Sequence, residues 1–271
     1  MGLLLNASMR PFHWNEDYDS VRAFLADTFE LARYHNWIPS RFENLRYGPC
    51  GSEYENSRDE FIKIWESESS SEREIVAVTV LEPGREGWLL VHPLHKNVER
   101  DIIKWMEKRT RALADHSQSP KVGIMCRSVD TDRVRLLEKI GYEKREVHGD
   151  LQERPLDLPP PEYEIPHGFQ IRSVDLERDF EEYRRVQASV FPHCECMTKS
   201  LARTYASASF YNPELDLVAE APDGHFAAIG TVRIDPVSRI AEFEPVGTHP
   251  DFRRLGLARA VVAEGLRRLR K

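Results

Sequence analysis

The stretch Pro245-Val-Gly-Thr-His-Pro-Asp-Phe-Arg-Arg-Leu-Gly-Leu-Ala-Arg-Ala260 joins a predicted strand to a predicted helix near the end of the 271-residue chain. At such a junction the first N–H groups of the helix have no helical partner and face the loop. Gly256 and Ala258 keep side-chain bulk away from these donors. Positive charge is added by Arg253, Arg254 and Arg259. The stretch therefore predicts a binding site for a diphosphate.

Hydrophobic patterns on both sides define the elements that this loop connects. After it, apolar residues at steps of three and four predict a helix: Leu255, Ala258, Val262, Leu266 and Leu269. Before it, residues 239–247 alternate as in a strand, with Glu242 and Glu244 on one face and Phe243 on the other. The loop therefore follows a strand and opens a helix.

Further upstream, two β-rich runs at 215–220 and 226–234 flank the turn signal Pro222-Asp-Gly224. Together with 239–247 they predict three consecutive antiparallel strands. A short strand at 168–173 and helices near 176–190 and 198–209 precede them. The expected order is strand, two helices, three strands, loop, helix.

The spacing Arg253-x-x-Gly256-x-Ala258 fits the signature R/Q-x-x-G-x-G/A, and with this order of elements the chain resembles the GNAT superfamily of acetyl-CoA-dependent N-acetyltransferases. The resemblance covers 168–271 well and the first half weakly. It implies that acetyl-CoA lies with its pyrophosphate on the loop and its pantetheine along the preceding strand, and that the Val246 amide polarises the thioester carbonyl. The residues that it assigns to acetyl-CoA are Val246, Gly247, Thr248, Arg253, Arg254, Leu255, Gly256, Leu257, Ala258 and Arg259.

The first half repeats this order faintly. The predicted elements are helices within 17–36, near 58–65, at 98–114 and at 130–140, and strands at 75–81, 88–92, 121–126 and 141–147. His92-Pro93 and His249-Pro250 each end a strand, which indicates an internal repeat. The stretch 90–101 lacks the glycines and carries Glu99 and Asp101 where phosphate would lie. We expect this copy to be degenerate and not to bind acetyl-CoA.

Residues 154–167 hold five prolines, which favour an extended connection. We therefore expect a degenerate GNAT-like domain at 1–153, a linker at 154–167 and an acetyl-CoA-binding domain at 168–271. The fold class expected is α/β in an α+β layout, with tandem GNAT folds and mixed, mostly antiparallel sheets. The family fold continues past the loop helix, so we expect the second copy to be truncated and the chain to be a fragment.

Composition narrows the function classes. A net charge of −7, spread over 31% charged residues of both signs, argues against a nucleic-acid partner. No apolar run reaches the length of a membrane helix, so a soluble cytoplasmic protein is expected. Cys50, Cys126, Cys194 and Cys196 form no C-x-x-C pair, so neither metal nor disulfide framework is expected.

Acetyl transfer to an amine needs a base that takes a proton from the ammonium. Glu244 is the first candidate and Glu242 the second, against the alternative that both are ordinary carboxylates facing solvent. His249 and His193 are further acid–base candidates, although His249 before Pro250 is more typical of a capping residue. Tyr205 and Tyr211 either line the acceptor pocket or belong to the core. The family's usual tyrosine general acid would lie beyond Lys271.

The sequence thus predicts an enzyme, an acyl-CoA N-acyltransferase that moves acetyl from acetyl-CoA to a primary amine of a small molecule or peptide by direct attack. A catalytically silent CoA-binding or regulatory protein is the alternative, and a purely structural module is a third. The acidic balance favours cationic acceptors. A homodimer stays open.

Overall fold

Two mostly antiparallel sheets organise the computed structural model, which describes residues 7–31, 36–48, 61–67, 74–81, 86–113, 121–147, 149, 152–192 and 197–271. The chain forms two compact units, Met1–Pro39 with Tyr54–Val147 and Ser40–Glu53 with His148–Lys271. Helices accompany both sheets, so the expected α/β class with α+β layout is confirmed.

The first unit carries a five-stranded sheet of order β1-β2-β3-β4-β5, in which only the last pair is parallel. Its strands are β1 (Ala7–Pro11), β2 (Ile62–Ser67), β3 (Ile75–Leu81), β4 (Glu86–Val91) and β5 (Gly123–Ile124), and its helices are α1 (Trp14–Leu31), α3 (Glu99–Leu113) and α4 (Thr131–Lys139). Helix α3 buries Ile102, Ile103 and Met106 in the core formed with β3 and β4. This is the strand–helix order that the second half also follows.

Several predicted elements of the first unit are wrong. The helix expected near 58–65 is replaced from Ile62 by strand β2, because Ile62 and Ile64 pair with β3 and are buried; residues 58–60 lie outside the described part. The strand expected at 141–147 has no regular structure, and that at 121–126 shortens to β5. Short apolar runs do not by themselves separate helix from strand.

The second unit carries a four-stranded antiparallel sheet of order β6-β7-β8-β9. Its strands are β6 (Gln170–Ser173), β7 (Asp216–Glu220), β8 (Phe226–Asp235) and β9 (Ile240–Thr248), and its further helices are α5 (Phe180–Val190), α6 (Lys199–Ala206) and α7 (Leu257–Leu269). The expected order of strand, two helices, three strands, loop and helix is confirmed.

Two separate cores hold this sheet. On one face, Val186 of α5 packs with Val218 and Ile229; on the other, Val261 of α7 packs with Leu217. Alternate residues of a strand point to opposite faces, so the same strands serve both cores. Helix α7 is thereby fixed beside the sheet, with its first turn at the end of the loop that follows β9.

Helix α2 (Pro39–Tyr47) belongs, from Ser40 onwards, to the second unit although its sequence lies in the first half. Tyr47 packs against an aromatic cluster of the second unit that contains Tyr205, Phe210 and Tyr211. Ser209 donates a hydrogen bond to Glu43 at 2.7 Å. The second unit is therefore built from two separate stretches of chain.

Residues 152–169 form neither helix nor strand, in line with their prolines. Tyr163 ties this segment to α7 by donating its hydroxyl to Glu264 at 3.1 Å. Among the described residues, no helix combines the length and the apolar character that crossing a bilayer requires.

Candidate functional site

The loop between β9 and α7 holds its backbone donors open. Gly256 caps the helix with a φ of 77° and without a side-chain hydrogen bond, and Arg254 also has a positive φ of 65°. The N–H of Ala260 is bonded to the carbonyl of Gly256 at 3.0 Å. The N–H groups of Leu257, Ala258 and Arg259 therefore precede the first helical hydrogen bond and face the loop. This geometry, with the positive end of the helix dipole, suits an anion.

The open space around Gly256 and the positive charge of the nearby arginines also suit an anion. A Cβ placed on Gly256 would meet nothing within 4 Å, so the approach to the amides is open. Leu257 is buried and anchors the helix start. The exposed residues around it include Arg253, Arg254 and Arg259. The loop residues predicted for acetyl-CoA are thus brought together at one helix N-terminus.

His249 lies where β9 ends and caps the short 3-10 turn Pro250–Phe252, because its Nδ1 accepts the N–H of Asp251 at 3.3 Å. His92 does the same in the first unit, accepting the N–H of Leu94 at 3.2 Å. The matching caps support an internal repeat, and they support the interpretation of His249 as a capping residue. His193 lies outside the described residues.

Strand β9 contains a bulge at Glu244 and Pro245. Val246 faces Gly230 and Phe243 faces Val232 across the sheet, so two residues of β9 oppose the single residue Thr231. The Glu244–Pro245 peptide bond is cis. A bulge interrupts the ladder and leaves an extra residue unpaired. Because β9 is also the edge of its sheet, part of its backbone faces away from β8.

The packing of β9 fixes which way its side chains face. Phe243 lies against Gly265 of α7, and Val246 lies beside Gly230 near Val261 of the same helix. Gly247 faces the opposite way, toward Val190 of α5. The stretch Val246–Thr248 therefore presents little side-chain bulk between two packed faces, next to the loop.

The two candidate bases have different surroundings. Glu244 at the bulge is exposed. The side chain of Glu242 is only 14% exposed, and Arg41 of α2 binds its Oε1 through both Nε and a terminal guanidinium nitrogen at 2.7 Å. The other oxygen, Oε2, is buried and has no hydrogen-bond partner among the described residues. Sequence reasoning missed Arg41, because no local pattern links residues so far apart in the chain.

A buried polar cluster lies in the second unit behind the bulge. Asp216 is fully buried and accepts hydrogen bonds from Thr231 at 2.7 Å and from Tyr211 at 2.9 Å. Burial raises the pKa of Asp216 to about 6, against the lowering effect of these two hydrogen bonds. Tyr205 is buried and accepts a hydrogen bond from Arg233 at 3.2 Å. Both candidate tyrosines therefore have their hydroxyls engaged by protein groups.

The corresponding place in the first unit is built differently. Glu99 opens α3, is buried, and forms a two-point ion pair with Arg133 of α4 at 2.8 and 3.2 Å. Arg133 also donates to the carbonyl of Leu89 at 3.1 Å. Asp101 in the same first turn pairs with Lys104. Carboxylates thus occupy the helix start that carries glycine and open amides in the second unit.

Within the described part of the chain, no group of three or more His, Cys, Asp or Glu residues is arranged to hold a metal ion. Cys126 is a free thiol whose pKa is raised by burial. Cys50, Cys194 and Cys196 fall on residues that the structure does not describe.

Comparison with known proteins gives the fold. A GCN5-related N-acetyltransferase structure from Sphaerobacter thermophilus matches with a TM-score of 0.59 at 20% identity, covering 97% of this chain and 83% of that one. A tandem GNAT protein from the clavulanic acid biosynthesis pathway matches with a TM-score of 0.56 at 13% identity, covering 97% and 86%. The chain therefore has the fold of these GNAT proteins. No profile of a known protein family matches it.

Sequence similarity to curated proteins is distant. A mycothiol acetyltransferase of Thermomonospora curvata is 26% identical over 196 residues, which are 69% of this chain and 61% of that protein. The chain spans less than two thirds of the length of the two curated relatives that it matches. The loop after β9 carries the signature Arg253-x-x-Gly256-x-Ala258 at the start of α7.

Proposed function

We propose that the second unit transfers an acetyl group from acetyl-CoA to a primary amine of a small molecule or peptide. The observation that carries the proposal is the open N-terminus of α7, where left-handed Gly256 leaves three amides facing exposed arginines. A diphosphate is the ligand chemistry that such a site fits. The similarity to mycothiol acetyltransferases supports acetyl transfer as the reaction.

The pantetheine arm would run along the edge of β9, past Val246 and Thr248. The bulge at Glu244 and Pro245 would place the thioester where the β9 ladder is interrupted. An amide of β9 that faces away from β8, that of Val246 in our proposal, would donate to the thioester oxygen as negative charge develops there. These roles need little side-chain bulk, which agrees with Gly247 beside them.

The acceptor enters as an ammonium and must lose a proton before its nitrogen attacks the thioester carbon. Exposed Glu244 is our first candidate for the base, and arginine-bound Glu242 is the second. The tetrahedral intermediate then collapses, breaking the C–S bond, and the thiolate of CoA takes up a proton. The second proton lost by the nitrogen goes to solvent.

We propose that the first unit is a degenerate copy that does not bind acetyl-CoA, because Glu99 and Asp101 would repel phosphate at its helix start. The alternative for the whole chain, a silent CoA-binding or regulatory protein, predicts CoA affinity without turnover. We infer a soluble cytoplasmic setting for either function.

The test is calorimetric titration of acetyl-CoA and CoA into the chain and into Gly256→Val. A valine there must adopt a positive φ and puts its side chain where phosphate would approach, so we expect binding to be lost. Gly224→Val is the matched control, since Gly224 also has a positive φ of 85° and open space around it but lies in the β7–β8 turn. Its binding should equal that of the unaltered chain.

Arg253→Ala should weaken acetyl-CoA binding without abolishing it, because one of several cationic partners is removed. An amine screen with release of free CoA as the readout then separates an acetyltransferase from a silent binder. Unchanged affinity in Gly256→Val would overturn the loop assignment, and CoA binding without turnover of any amine would favour the silent alternative.

A further inference from the structure

Glu242 carries one oxygen that is firmly held and one that is bare. Arg41 Nε donates a hydrogen bond to Oε1 at 2.7 Å, and a terminal guanidinium nitrogen forms an ion pair with the same oxygen at 2.7 Å. Oε2 is buried without a hydrogen-bond partner among the described residues. A buried carboxylate oxygen without a donor is costly, and native structures keep few of them. The arrangement therefore calls for a donor that the described part of the chain does not supply.

The neighbouring cation does not provide it. Arg233 lies opposite Glu242 in the sheet, but its Nε donates to Tyr205 and its guanidinium lies over the rings of Tyr205 and Phe210 at 5.8 and 5.4 Å. These contacts direct Arg233 toward the aromatic cluster. Arg233, the residue of β8 opposite Glu242, therefore does not serve as the partner of Oε2.

Position links this oxygen to the proposed chemistry. Glu242 lies two residues before Glu244 on β9, so both carboxylates precede the strand segment proposed for the thioester. The carboxylate is just beneath the surface, since its side chain is 14% exposed and the covering Arg41 side chain is 39% exposed.

We propose that Arg41 is a positioning residue that holds Glu242 by Oε1 so that Oε2 receives an N–H of the acceptor's ammonium group. This inference rests on the proposed acetyl transfer and names the acceptor as one that binds in its cationic form. Glu242 then orients the ammonium, and exposed Glu244 is left to remove the proton. A charge-assisted hydrogen bond to Oε2 fixes the orientation of the ammonium group, which attraction between the two charges alone would not do.

Carboxyl ¹³C spectra of the chain with labelled glutamate, with and without saturating CoA, test the proposal. The Glu242 signal is assigned by its loss in Glu242→Gln. Titration with n-butylammonium chloride should shift this signal saturably. Tetramethylammonium chloride, which has the same charge but no N–H donor, should shift it only at about tenfold higher concentration, because the charge-assisted hydrogen bond is missing.

Arg41→Met should weaken the n-butylammonium response about tenfold, since the unclamped carboxylate must be ordered by the ligand. Arg41→Lys should restore part of it. Arg46→Met is the control, because it removes the same charge from the same helix at a residue that lies against Tyr47; its response should match that of the unaltered chain. Thermal unfolding of each variant verifies the fold.

The proposal would be overturned if the Glu242 signal does not shift with n-butylammonium, or if it shifts equally with both cations. An equal response in Arg41→Met would remove Arg41 from it. Failure of CoA to bind while Glu242 still responds would overturn the acetyl-CoA proposal and leave an ammonium site. CoA binding without a Glu242 response would overturn the ammonium site at Glu242 and leave the acetyl-CoA proposal standing.

Discussion

The pKa of the Asp216 carboxyl is set by the surroundings of that residue in the folded protein. Asp216 starts β7 and pairs in register with Thr231, so its carboxylate is held inside the second unit between two hydroxyl donors. Two donors do not replace the hydration of a fully buried carboxylate, and its pKa rises to about 6. The tyrosines Tyr183, Tyr205 and Tyr211 are close enough that each has its own pKa raised, chiefly by burial and further by the Asp216 charge.

We predict that this residue makes the unfolding free energy fall as pH rises from about 4 to about 6. The pKa of Asp216 in the folded protein lies above its ordinary value of 3.8, so in this window the folded state binds more protons than the unfolded state. The loss approaches about 3 kcal/mol at one pKa unit per 1.4 kcal/mol. Urea unfolding across this pH range measures it, and Asp216→Asn should remove the slope.

Glu264 provides a control of opposite sign. Burial raises its pKa, but hydrogen bonds from Arg267, Arg268 and Tyr163 outweigh burial and lower it to about 2. Its contribution is present above its ordinary pKa and is lost as pH falls toward 2. Glu264→Gln should therefore flatten the acidic side of the profile and leave the Asp216 slope unchanged. A slope that survives in Asp216→Asn would show that another group causes it.

At the scale of elements, the site depends on how closely α7 approaches β9. Gly265 is buried in α7 at the point where the ring of Phe243 crosses it. A Cβ there would lie 2.5 Å from Cε1 of Phe243 and 3.2 Å from Cγ2 of Val232. The glycine is thus required by packing and not by its φ, and it keeps the helix N-terminus in place beside the bulged strand.

We predict that Gly265→Ala destabilises the chain by about 1–3 kcal/mol, although alanine is the better helix former. The ring of Phe243 must move, because 2.5 Å is far below a carbon–carbon contact distance. Adding Phe243→Leu should recover part of the loss, and a thermodynamic cycle in urea measures the coupling. Additive effects would show that the two residues do not compete for the same space.

At the scale of the whole molecule, two units of related topology differ at the same place. The second has an open amide-lined helix start, and the first has a buried Glu99–Arg133 ion pair. Breaking such a pair leaves an uncompensated buried charge, so the first unit cannot readily be converted into a phosphate site. Residues Ser40–Glu53 complicate the expected division at 153, since they join the second unit.

We predict a stoichiometry of one acetyl-CoA per chain, because among the described residues the open amides of a strand-to-helix loop lie in the second unit, whereas Glu99 and Asp101 stand at the matching helix start of the first. Calorimetry at known protein concentration measures it, with Gly256→Val as the variant that should abolish all binding. Two equivalents, or one equivalent that persists in Gly256→Val, would place a site in the first unit.

The sequence by itself determined the local features of this protein. The signature Arg253-x-x-Gly256-x-Ala258 and the alternation before it predict the loop, the third strand and the helix, because turn chemistry and hydrophobic period act over a few residues. The structure has these elements in the predicted order. Predictions failed at 58–65 and 141–147, where strand pairing or its absence decided the outcome.

Only the tertiary structure decided the rest. It placed α2 in the second unit, set Arg41 on Glu242, buried Asp216 and made Glu242 and Glu244 unlike each other. Each of these depends on contacts between residues far apart in the chain. Burial and partner choice are properties of the packed molecule, and no pattern of neighbouring residues encodes them.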